Sequence, residues 1–196
     1  MNRLVRFCAT LAIAVSVSSC LVKSIHPICA SKDSILVPGL IGTWQDAKGE
    51  ITVIIAKSSG NTYRVVYLDK EKPAVFSGRV ARLGGKMFMD LFPVSGDGNN
   101  NLQNLSIMSA HMVFKAEQEK DRLFFSYLDT NWLNESLKSG KVKLACERRI
   151  EEASNEKDPY VELILTASTK ELSDFLTSNA RNEKAFVKPM ELKGIK

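Results

Sequence analysis

Histidine occurs only twice in this 196-residue chain, as His26 and His111, and cysteine only four times. No group of Cys or His has the spacing of metal ligands, so neither a metal nor any other cofactor is expected. Long apolar runs are missing too. The uncharged stretch Phe7–Ser19 is well short of the ~20 residues that a helix needs to cross a bilayer, and no later segment is a candidate, which excludes a permanent transmembrane helix. Nor does Lys or Arg run together with interleaved aromatics, the pattern that tracks a phosphate backbone, so nucleic acid is not an expected partner. The formal charge of +5 overstates the basic character. Arg3 and Arg6 sit in the leader described next, and without them 25 basic residues face 22 acidic ones.

Those two arginines precede the apolar run in the order of a signal peptide. The run ends in Val17-Ser18-Ser19-Cys20, which resembles the lipobox of bacterial lipoproteins. The resemblance implies a leader over residues 1–19, cleavage before Cys20 and a diacylglyceryl thioether on that cysteine. Two acyl chains of about 14 methylenes, at ~0.8 kcal/mol each, give on the order of 20 kcal/mol of membrane attachment. Leu21 stands where an aspartate would favour the inner membrane, so the implied address is the bacterial cell envelope, with the outer membrane facing the periplasm preferred. The competing reading is ordinary secretion with Cys20 a bystander.

Cys8 leaves with the leader, which makes Cys29 and Cys146 the remaining pair. A disulfide between them suits an oxidising compartment, although spacing does not fix geometry and two free thiols are the alternative.

Residues 20–38, interrupted by Pro27 and Pro38, read as a lipidated tether, and residues 39–196 as a single domain. In that domain Ile51, Val53 and Ile55 alternate, as do Tyr63, Val65 and Tyr67, and the turn signals "AKGE" and "SSGN" stand at hairpin spacing. The pattern continues through "AVFSGRVARL", a turn at Gly84-Gly85 and "MFMDLF". The polar stretch from Val94 to Met108 reads as a long loop, either a lid or plain surface. A further hairpin carries Met112, Phe114 and Ala116, then Leu123, Phe125 and Tyr127. A short helix is expected around Leu133 and Leu137, strands at "KVKLAC" and "YVELILTA", and a charged loop at "ERRIEEASNEKDP". Ser168 and Glu171 form the capping box of a second helix, which precedes a last strand, "AFVKPMELKGI", where Pro189 marks an edge or a bulge.

Hairpin succession of this kind predicts a mainly β fold, an up-and-down antiparallel barrel with a C-terminal helix before the last strand. The element order is similar to that of the lipocalin family. Gly42-Thr43-Trp44 matches its G-x-W signature, and the wider layout, with "RLGGKMFMDLFP", "LDTNWL" and "LILTASTKELSDFL", resembles a set of uncharacterised bacterial lipocalin-like lipoproteins. Lipocalins place an arginine on the last strand over the signature tryptophan; the cations available here are Lys188 and Lys193.

The resemblance implies a carrier of a small hydrophobic ligand. An eight-stranded barrel has room either for its own side chains or for one small ligand, and the residues placed to line a cavity are Tyr63, Val65, Tyr67, Phe114, Phe125 and Tyr127. Gly42 and Trp44 are expected to be structural, with the indole closing one end. The alternative is an interaction module for another envelope protein, with those aromatics packed as core. An enzyme is not expected. The one constellation for it, Asp90 with His111 on sequential strands, lacks a nucleophile tied to it by any motif.

Overall fold

A computed structural model describes residues 21–70, 72–94, 109–151 and 160–195. The leader, Cys20 and nearly all of the expected loop from Val94 to Met108 lie outside the described residues. Strand β1 is Lys23–Ser24; β2 Gly42–Gln45, β3 Ile51–Lys57, β4 Thr62–Asp69, β5 Lys72–Leu83, β6 Lys86–Pro93, β7 His111–Glu119 and β8 Arg122–Tyr127 follow. Helix α1, Thr130–Lys138, comes next, then β9, Cys146–Glu151, and β10, Tyr160–Leu165. Helix α2, Thr169–Asn179, and β11, Met190–Ile195, complete the order.

Eight strands close on themselves. β2 to β8 pair in sequence, and β11 fills the gap between β8 and β2. Every pairing in the ring is antiparallel, as the short links require. Period-two alternation therefore sorts the side chains into two cores. Inside the ring lie Trp44, Val53, Ile55, Tyr63, Val65, Met89, Leu123 and Leu192. Outside it, Ala81, Phe88 and Val113 face a second cluster supplied by both helices, the N-terminal segment and β10.

One end of the barrel is shut. Residues 35–40 fold under it, with Leu40 fully buried and the Ile35 N–H bonded to the Val80 carbonyl at 2.9 Å. Trp44 Nε1 donates to the Leu40 carbonyl at 2.9 Å, and Gly194 of β11 lies against the indole, where a Cβ would come within 3.5 Å of it. Lys188 and Lys193 are exposed, and the β11 residue against the indole is Gly194.

Three expectations about the chain are corrected. The stretch read as a tether is built into the fold from residue 21 onward: β1 pairs in parallel with β10 and antiparallel with β7, and Val22, Ile28 and Cys29 are buried. A two-residue strand is too short to leave a periodic signal, and Pro27 is accommodated between β1 and the buried Ile28. The strand expected at "KVKLAC" instead begins at Cys146 and runs through Arg148 and Arg149, residues read as loop because they are charged. Among the described residues β9 pairs only with β10, and charged side chains are common on such an edge because they oppose further strand addition. The last strand is shorter than expected, starting after Pro189. The bridge considered between Cys29 and Cys146 is absent; both are free thiols.

The capping box is present, with the Ser168 N–H and hydroxyl donating to Glu171 Oε2 at 2.8 and 2.7 Å and the Glu171 N–H donating back to Ser168 Oγ at 3.3 Å. No helix among the described residues is long and apolar enough to cross a membrane.

Candidate functional site

The barrel interior is graded along its axis. Near the shut end the inward side chains are sealed: Tyr63, Val65 and Ile55 are each 1 % exposed and Leu123 is fully buried. Toward the other end the inward chains Ile51, Tyr67, Phe76, Leu91, Phe114 and Met190 are all partly exposed, although they pack onto the same cluster. This end is where β2 turns into β3, β4 into β5, and where β6 stops and β7 starts. Together these side chains form the wetter half of the interior, the cup, above a floor made by the packed lower half.

The six residues expected to line a cavity all belong to the inward set but divide between these zones. Tyr63 and Val65 are floor. The Tyr63 hydroxyl accepts from the Val37 N–H at 2.6 Å, tying the plug to the wall, and burial pushes its pKa up against the smaller opposing effect of that bond. Phe125 sits at the boundary, 8 % exposed. Phe114 stands edge-on both to Phe125, with centroids 6.1 Å apart at 77°, and to Tyr127, at 6.4 Å and 83°. These edge-to-face contacts are the preferred aromatic geometry and form one wall of the cup. Tyr67 is on the other wall. Its pKa is raised by burial first and then by the carboxylates of Asp69 and Asp46, and its hydroxyl makes no hydrogen bond among the described residues.

Ile51, Phe76, Leu91 and Met190 also line the cup but were not singled out from sequence. The same alternation that marked Tyr67 and Phe114 marks them; what it lacks is the strand order that tells rim from floor.

Asp90 and His111 do meet: Asp90 Oδ1 lies 2.7 Å from His111 Nδ1. They do so on the outer wall, facing away from the cup. The second carboxylate oxygen accepts the Ile28 N–H at 3.1 Å, and the His111 ring packs against Phe92 at 4.7 Å. Cys29 lies close by, its pKa raised by burial first and then by Asp90, with Arg79 opposing, so its thiol stays protonated and is a poor nucleophile. His26 is exposed, and its carbonyl accepts the Ser24 hydroxyl at 2.8 Å. Among the described residues no three of His, Cys, Asp and Glu gather in the manner of a metal site.

Comparisons with protein-family models, with curated proteins and with solved structures return no match.

Proposed function

We propose that this protein is a lipid-anchored lipoprotein of the bacterial cell envelope whose lipocalin-like barrel takes a small hydrophobic molecule into its open end. The observation that carries the ligand reading is the gradient of burial inside the barrel. Apolar side chains lining a concavity that water reaches are stabilised by any ligand that removes that water, by roughly 25 cal/mol per Å² of apolar area covered. The rigid floor supports the reading as well, because a site held by packed strands loses little entropy on binding. The phenol of Tyr67 offers a polar handle at the rim, and the nearby Asp46 and Asp69 favour a neutral or cationic ligand over a fatty-acid anion.

The anchor rests on the lipobox-like stretch ending at Cys20, and the outer-membrane address on Leu21 after it. Asp90 and His111 serve structure in this reading. They satisfy each other and the Ile28 amide, and so hold the N-terminal segment to the barrel wall.

The test is native mass spectrometry of the protein purified from its own host, followed by extraction of retained small molecules. A copurifying apolar compound, absent from a Phe114→Ala variant, is expected, as is a diacylglyceryl mass increment that Cys20→Ser abolishes. Protein that carries no such compound in repeated preparations refutes the carrier and favours an interaction module; an unprocessed leader refutes the anchor independently.

A further inference from the structure

The outer layer holds a second depression, which the barrel does not use. It is an open groove of about 600 Å³ between α1, the turn after it, the end of α2 and the 3-10 turn Glu183–Ala185. One wall is Trp132, partly buried and backed by Phe175 with ring centroids 6.4 Å apart. Behind it lies Ser136, 7 % exposed, whose hydroxyl has no hydrogen-bond partner among the described residues. No fully buried side-chain N or O is left unpaired there, so this hydroxyl is reached by solvent, through the groove that Ser136 lines.

Two amides face it. Asn179 Nδ2 donates to the Phe175 carbonyl at 2.9 Å, and Asn182 Nδ2 donates to Asn179 Oδ1 at 3.4 Å. These bonds fix both side chains while leaving each a second N–H to offer. Charge in the groove is one-sided. Lys141 and Lys184 are exposed and neither has an ion-pair partner among the described residues, whereas the one acid, Glu135, is already held by Lys138 at 2.9 Å.

We propose that this groove binds an anionic saccharide, with a carboxylated sugar as the unit recognised. The chemistry selects among alternatives. A purely apolar ligand would leave the Ser136 hydroxyl and the second N–H of each amide without a partner, at a cost comparable to a lost hydrogen bond for each. A neutral sugar would match those groups and the indole but not the two lysines. A bare inorganic anion would pair with the lysines and leave the aromatic wall without a partner. A pyranose ring laid on Trp132, with hydroxyls toward Ser136, Asn179 and Asn182 and a carboxylate between Lys141 and Lys184, satisfies all of them, and the volume is within the range of small-molecule sites.

The test is titration of the full chain with a glucuronate-containing disaccharide, its glucose-containing neutral counterpart and inorganic phosphate, read by calorimetry and by the Trp132 indole N–H resonance. Saturable binding of the acidic disaccharide that shifts this resonance is expected, with the neutral counterpart about tenfold weaker. Lys141→Gln/Lys184→Gln, exposed changes that leave the fold intact by circular dichroism, should weaken the acidic sugar about tenfold and leave the neutral one unchanged. Ser136→Ala should weaken both. Equal affinity for acidic and neutral sugars, phosphate binding as tightly as the disaccharide, or no effect of the double lysine change would each overturn the proposal. Phe114→Ala, in the barrel cup, should leave this binding untouched, which keeps the two sites distinguishable.

Discussion

The two ends of the barrel are made of the same kinds of residue in the same alternation, yet the inward side chains described at one are sealed and those described at the other are partly exposed. Tyr63 and Tyr67 lie four residues apart on one strand and point the same way. The first bonds the Val37 amide and is 1 % exposed; the second is partly exposed and has no such bond. What separates them is the segment 35–40, which folds beneath one rim and offers the Val37 N–H to Tyr63 and the Leu40 carbonyl to Trp44. Closure of a barrel end is therefore a property of the chain that crosses it and not of the strands themselves.

Replacing one aromatic at each end tests this most strongly. Trp44→Ala removes the indole, its bond to Leu40 and its contact with Gly194, and should cost ~3–5 kcal/mol, as large deletions from packed cores do. Phe114→Ala, in the wet half, should cost ~1–2 kcal/mol, because part of its surface is in water already. Chemical denaturation measures both; equal losses would mean that the cup is as tightly packed as the floor.

A finer comparison deletes one oxygen at each end. Tyr63→Phe leaves the Val37 amide without its partner and should lower stability by about 1 kcal/mol. Tyr67→Phe should be neutral within about 0.5 kcal/mol, the usual scatter for substitutions that break no contact. A loss for Tyr67→Phe equal to that for Tyr63→Phe would break the distinction.

The smallest effect is on pH dependence. Both phenols have pKa values raised above the ordinary tyrosine value, burial being the main cause. The unfolded chain consequently releases these protons first as pH rises. Their contribution to stability is complete below the unfolded value and declines as pH climbs from there through the folded values. Denaturation midpoints followed from neutral to strongly alkaline pH should fall, and fall less steeply in the Tyr63→Phe/Tyr67→Phe double variant. An unchanged slope would show that other groups govern the alkaline limb.

Much of this was legible in the residues. Alternation at Ile51–Ile55 and Tyr63–Tyr67 marks the inner face, Gly84-Gly85 marks a turn, and Ser168 with Glu171 marks the start of α2, because each is a local rule written in neighbouring positions. Strand order was not legible, and with it went the depth of each inward side chain. Val65 and Phe114 look alike in sequence, yet one is floor and the other rim. β1 escaped notice because its pairing partners are supplied by residues about the far side of the chain, and β9 because its arginines obey the needs of an edge. Asp90 and His111 are legible as residues of sequential strands, but only the register brings them within 2.7 Å of each other, on the outer wall rather than within the barrel. The groove beside Trp132 could not be read at all, since α1 and α2 bring its walls together from segments separated by two strands.

β1 has one more implication. It is stitched to β7 and to β10, and Lys23 reaches Glu162 at 2.7 Å across 139 positions of sequence. Loop-closure entropy must be met before such distant contacts form, so they come late in folding. As the polypeptide emerges vectorially, β1 cannot pair until β7 has appeared, and its second partner, β10, comes later still. Completion of the outer layer thus waits on β10, made long after the strand it holds.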